Sequence, residues 1–127
     1  MPRQIITTAN APSSPLYSQG VKAGPQILVS GMVGIDPATG TLAGDTIRDQ
    51  TRQALTNCEA ILNAGGATLD DVTEVGVLLS DPADFAALNE EYARWFPHDP
   101  PTRFRPRRSR RARCAAAALP WTTGFGP

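Results

Sequence analysis

One amphipathic helix, over residues 46–64, does most to limit the folds open to this chain. Ile47, Ala54, Leu55, Cys58, Ile61 and Leu62 fall at offsets 0, 7, 8, 11, 14 and 15, a single apolar stripe of 3.6 periodicity that has to be buried against something. Asp45 or Thr46 can cap its start, and Gly65-Gly66 closes it through a left-handed residue. Strand-like apolar runs flank it at 26–33 and 72–79. In the first, Ile27, Val29 and Val33 share one face and Leu28, Ser30 and Met32 the other, so both faces are expected to be largely covered. Strand, helix and strand at this spacing form a crossover unit, with the helix laid on a sheet.

The remaining elements extend that unit. Residues 4–8 are β-branched and fit an edge strand. Pro12 and Pro15 belong to a loop that delivers Leu16-Tyr17-Ser18-Gln19 to a fixed place. Ser30-Gly31 interrupts the next strand with a hydroxyl and a missing side chain, which brings backbone within reach of another group. Asp36-Pro37-Ala38-Thr39-Gly40 is a hairpin turn, and residues 41–43 begin the return strand. A second helix starts with Asp81 as N-cap and Pro82 at its first position, buries Phe85, Leu88, Tyr92, Trp95 and Phe96, and stops at Pro97. One more strand is due after it.

Charge divides the chain at Pro101-Thr102-Arg103. Residues 1–102 carry five basic side chains against all twelve acids, whereas the last 25 residues carry seven arginines and no acid, so the formal net charge of zero describes neither part. Arg103 is thus either the end of a site prepared by the residues before it or the start of a basic tail. With 41% apolar residues the 127-residue chain can bury one modest core, so a single domain is expected over residues 1–103. Cys58 and Cys114 have no paired spacing, which points to neither a disulfide framework nor a thiolate metal site. The sequence shows no apolar signal segment and no membrane span, and the expectation is a soluble cytoplasmic protein.

Several chemistries are disfavoured. The single histidine, His98, sits in a proline-flanked loop with no second imidazole or thiol at ligand spacing, so no metal is expected. Ser30 lies outside any nucleophile-elbow pattern. Gly65-Gly66-Ala67 follows a helix instead of preceding one and is a helix end, not a phosphate loop, so no cofactor is expected either. What remains is a polar set spread over loops and element ends: Tyr17, Ser30, Asn89 and Arg103.

Taken together, Ser14-Pro15-Leu16-Tyr17-Ser18-Gln19, Ser30-Gly31-Met32, Asp36-Pro37-Ala38-Thr39-Gly40, Gln50-Thr51-Arg52-Gln53-Ala54-Leu55-Thr56-Asn57, Ala64-Gly65-Gly66, residues 81–92 and Pro101-Thr102-Arg103 resemble the Rid family, the reactive intermediate deaminases also called YjgF-like proteins. The resemblance runs in register from about residue 3 to residue 103. It implies an α/β (α+β) fold of the chorismate-mutase-like type, a mixed sheet with two helices on one face, and a homotrimer with ligand clefts between subunits. It further implies hydrolysis of 2-imino acids, which arise from enamines released by pyridoxal-phosphate enzymes, to 2-oxo acids and ammonia. On the matching positions Arg103 is the carboxylate-binding residue; Tyr17 is catalytic; and Ser30, the Gly31 backbone and Asn89 shape the substrate pocket. Met32 stands where glutamine is common, which is expected to alter the polarity of the pocket.

After Arg103 the chain departs from the family pattern. The resemblance implies a following strand and a glutamate that activates water, yet no acid occurs beyond Asp99. General acid or base assistance is worth roughly 10² to 10⁴ in rate, so its loss would leave a binder of small carboxylates in place of an enzyme. The missing strand would leave a sheet edge uncovered. Residues 104–127 are rich in Arg, Ala and Pro, the residues that GC-rich DNA yields in almost any frame, and fit an out-of-frame reading of an ordinary gene. As a genuine segment, seven arginines within eleven residues would instead contact phosphates, although the cluster has no aromatic residue beyond Phe104 and the body is acidic, so a specific nucleic-acid role is disfavoured.

Overall fold

The computed structural model describes residues 2–79, 81–104 and 113–115. Strands β1 (Gln4–Ile6), β2 (Gly20–Ala23) and β3 (Gln26–Val29) form an antiparallel sheet in that order, with β1 at the edge as expected. β2 was not legible in the sequence. It is a four-residue strand joined to β3 by the two-residue turn Gly24-Pro25, and Gly24 supplies the positive φ of 56° that a tight hairpin requires. Strands β4 (Ile35–Asp36) and β5 (Thr41–Leu42) flank the expected hairpin, whose turn is closed by the Asp36 carboxylate accepting from Ala38 N at 2.8 Å.

Helix α1 (Ile47–Ala64) follows the expected boundaries. Thr46 is the N-cap, its Oγ1 accepting from Asp49 N at 3.1 Å, and Gly66 rather than Gly65 adopts the left-handed conformation at the far end, at φ 87°. Ala54, Leu55, Cys58, Ile61 and Leu62 are buried on the predicted stripe. A capped 3-10 turn over Leu69–Asp71 leads to β6 (Glu74–Leu78). A second short turn, Pro82–Asp84, has Asp81 Oδ1 accepting from Ala83 N at 2.9 Å and runs into α2 (Phe85–Trp95). Strand β7 (Thr102–Phe104) returns parallel to β6, so the crossover that closes is β6-α2-β7.

Three expectations need correction. The strands divide into three sheets, two antiparallel and one mixed, instead of forming one continuous mixed sheet. β8 (Arg113–Ala115) pairs antiparallel with the other edge of β6, so the strand thought to be missing is present in backbone and that edge is covered. The rest of the tail reading falls outside the described residues.

The 26–33 run is also not one covered strand. Ile27 and Val29 are buried, then Met32 and Gly34, so the inward phase slips by one residue at Ser30-Gly31. Met32 consequently enters the core at 1% exposure and does not line a polar pocket. Leu28 is 50% exposed, as is Ile5, and both flank Val21 in one cross-strand row on the outer face. The core lies between the inner sheet face and the helices, built on Ile6, Ile27, Val29, Met32, Ile61, Leu62, Val75, Val77 and Leu88.

Side chains that join the two helices were missed from the sequence. Glu91 is buried on α2, and its carboxylate accepts from Arg52 Nε of α1 at 3.1 Å and from Trp95 Nε1 at 3.3 Å, with Arg94 Nη1 at 3.7 Å. Burial pushes the Glu91 carboxyl up, but the hydrogen bonds from Arg52 and Trp95 and the charges of Arg52 and Arg94 outweigh it and hold the group below its ordinary value of 4.5. An exposed pair between Arg48 and Glu90 adds a second link.

Candidate functional site

Arg103 occupies β7 opposite Val75 of β6, and its side chain lies along one stripe of α2. Nη1 donates to Asn89 Oδ1 at 2.8 Å, while the guanidinium carbon stands 4.9 Å from the Tyr92 ring centroid and 5.4 Å from that of Phe85. Phe85, Asn89 and Tyr92 are spaced i, i+4, i+7, so a helix presents all three to the strand end at once. The two rings attract the cation and the amide fixes the direction of the fork. Because arginine has no acceptor, the amide oxygen of Asn89 must face it, which turns the Asn89 NH2 group outward as a further donor. The other N–H groups of the Arg103 fork have no protein hydrogen-bond partner among the described residues, and the residue is exposed.

The second half of the polar set is built where the inward phase slips. Ser30 N donates to Gln19 O at 2.9 Å, and its hydroxyl donates to Ser18 O. A carbonyl cannot donate, so the Ser30 proton is committed and only the lone pairs of Oγ remain for a ligand. Gly31, the next residue, is exposed and carries no side chain to obstruct its backbone. Tyr17 precedes Ser18 and is 46% exposed, at the end of a turn closed by the Ser14–Tyr17 bridge.

The structure therefore brings Asn89 to Arg103, and Tyr17 near Ser30 through Ser18. Among the described residues no hydrogen bond or ring contact joins one pair to the other. Two surface clefts, of about 470 and 310 Å³, open beside Asp45 and Asp84 and beside Trp95 and His98, and neither is lined by any of the four. Among the described residues no group of three or more metal-ligating side chains occurs. The residue that sequence reasoning missed is Gln19, quoted in a motif but given no role; its burial at 2% was the signal that only packing could reveal.

The whole is a small α+β fold with two helices, a backbone step after β3 and an arginine fork held by an amide and two rings. The sequence profile of the family described as endoribonuclease L-PSP matches residues 8–121. The chain belongs to this family, which includes the RutC family proteins and the reactive intermediate deaminases. It is 47% identical over 103 residues to a RutC family protein of Pyrococcus horikoshii, covering 80% of this chain and 81% of that protein. It is 41% identical over 102 residues to 2-iminobutanoate/2-iminopropanoate deaminase of Capra hircus, covering 80% of this chain and 74% of the relative. The crystal structure of Escherichia coli TdcF with bound serine superposes with a TM-score of 0.80 at 34% identity, covering 91% of this chain and 98% of that one. No helix among the described residues is long and apolar enough to cross a membrane.

Proposed function

We propose that this protein hydrolyses 2-imino acids of the 2-iminobutanoate and 2-iminopropanoate type to 2-oxo acids and ammonia. The observation that carries the reading is the Arg103 fork, steadied by Asn89 at 2.8 Å, exposed, and with no other protein hydrogen bond among the described residues. The deaminase named among its relatives acts on that substrate class, and TdcF was solved with serine, a small carboxylate.

Arg103 and the outward NH2 of Asn89 hold the two carboxylate oxygens. Water adds to the imine carbon, giving a carbinolamine, and expulsion of ammonia leaves the ketone. Ser30 Oγ, an acceptor only, receives the N–H of the imine or of the entering water, and the Gly31 N–H and the Tyr17 hydroxyl complete the polar surround. Enamines released by pyridoxal-phosphate enzymes are the proposed source of substrate, in the cytoplasm.

Among the described residues no hydrogen bond or ring contact joins the two halves of the set, and the outer sheet face exposes Ile5 and Leu28. Both facts support a homotrimer in which the halves face each other across subunits. Sedimentation equilibrium at about three times the subunit mass is the expected result; a monomer that still turns over substrate would remove this element.

The sequence has no acid beyond Asp99 to serve as a general base, so a carboxylate binder without catalysis is the second reading. Adding the protein to 2-iminobutanoate generated in situ decides between them. Decay faster than in buffer supports the deaminase; unchanged decay with saturable 2-oxobutanoate binding supports the binder. Contact with nucleic acid through residues 103–113 is a third possibility from another class, and a binding constant that does not fall steeply with salt would remove it.

A further inference from the structure

We infer that Gln19 is the positioning residue for the Tyr17 and Ser30 half of the site; the inference rests on the deaminase reading above. Gln19 is 2% exposed, and its carboxamide closes the base of the loop that runs from Thr8 to Gln19. Oε1 accepts from Thr8 N at 2.8 Å, and Nε2 donates to Thr8 O at 3.0 Å, Ala11 O at 2.9 Å and Pro12 O at 3.0 Å, two protons shared among three carbonyls. Above that base the loop is held mainly by local hydrogen bonds. Asn10 N donates to Thr8 Oγ1 and Leu16 N to Ser14 Oγ, and the crown exposes Leu16 at 91% and Tyr17 at 46%. Between residues 8 and 18 only Ala11 is buried, so apolar packing does little to fix the loop.

The same residue reaches the other member of the pair. The Gln19 backbone oxygen accepts from Ser30 N at 2.9 Å, and the carbonyl just before it, of Ser18, takes the Ser30 hydroxyl proton. One buried amide thus sets where the Tyr17 crown stands and, through its own backbone, where Ser30 Oγ stands. The requirement is chemical as well as steric: three carbonyls and one N–H need a side chain with both donors and an acceptor. Glutamate of the same shape has only acceptors, and leucine has neither. Gln19 touches no reacting atom in this reading and acts through its neighbours.

The test uses the whole chain with Gln19→Glu and Gln19→Leu, each first shown by far-UV circular dichroism to be folded at the assay temperature. Hydrogen exchange is followed peptide by peptide. The expected result is exchange about tenfold faster or more over residues 8–18, with α1 and α2 unchanged. In parallel, kcat for 2-iminobutanoate is expected to fall about 10- to 100-fold, while 2-oxobutanoate binding at Arg103 stays within about threefold. Tyr17→Phe combined with Gln19→Leu should lose less than the product of the two single losses, because part of what the amide does is done through the tyrosine. Losses that simply add, or unaltered exchange of the loop in either folded variant, overturn the inference. If the wild-type protein does not hydrolyse the imine, the deaminase reading falls by itself, and the exchange measurement alone decides whether Gln19 holds the loop.

Discussion

Removing the fork at Arg103 is the sharpest perturbation of the proposed site, because it should cost binding far more than it costs the fold. In the free protein Arg103 is exposed, donates to Asn89 at 2.8 Å and lies over the Phe85 and Tyr92 rings. Cation–ring contacts at exposed sites contribute about 0.5 to 1 kcal/mol each, so Arg103→Ala should lower stability by no more than about 1 to 2 kcal/mol. A hydrogen bond to a charged group is worth roughly 1.5 to 3 kcal/mol, which converts to a Kd for 2-oxobutanoate raised about 10- to 150-fold. Arg103→Lys should fall between, since an ammonium retains the charge but cannot bond Asn89 and two carboxylate oxygens in one plane. Isothermal titration of 2-oxobutanoate at low salt into wild type and both variants reads these values directly, with thermal melts as the control. A folded Arg103→Ala protein that binds within about twofold of wild type would refute the argument, and the carboxylate would have to be held elsewhere.

Three further outcomes are expected. Glu91 has its folded value below 4.5, so its contribution to stability is present above the unfolded carboxylate pKa and is lost as pH falls through the lower folded value; the unfolding free energy of Glu91→Gln from urea titration should lie about 1 to 3 kcal/mol below wild type at neutral pH, and the gap should close in acid. Thr51 is 1% exposed and its Oγ1 is a buried hydroxyl without a hydrogen-bond partner among the described residues, so Thr51→Val should raise unfolding stability by about 1 kcal/mol in a denaturant titration; a loss of similar size would show that the hydroxyl is satisfied. For the tail, the nucleotide sequence shifted by one or two bases near codon 104 should encode apolar alternation followed by a glutamate; if neither frame does, residues 104–127 are genuine as they stand.

The sequence made the helices legible because their signals are local. Thr46, Asp81 and Pro82 announce the starts, and the stripe of Leu55, Cys58, Ile61 and Leu62 states which face is buried. The strands were harder. β2 is only Gly20–Ala23, too short to show a period, and it is recognised as a strand only by its partners on both sides. The slip at Ser30-Gly31 reads in the sequence as continued alternation, because Leu28 and Met32 are both apolar while only Met32 is buried. Glu91 and Gln19 are polar residue types whose ordinary place is the surface. Their burial depends on how α1 crosses α2 and how a distant loop folds back, and neither is written in a window of neighbouring residues. The pairing of Arg103 with Asn89 was anticipated only as joint membership of one set; helix spacing on α2 and the register of β7 on β6 turn it into a contact.

Because the arginine fork hangs on the mixed sheet while the tyrosine and serine flank the β1-β2-β3 sheet, with no bond between them among the described residues, the proposed grip and the proposed chemistry are carried by separate parts of the fold. On the proposed function, a descendant can exchange one part and keep the other: new reactive groups on the same acids, or the same reactive groups on something else.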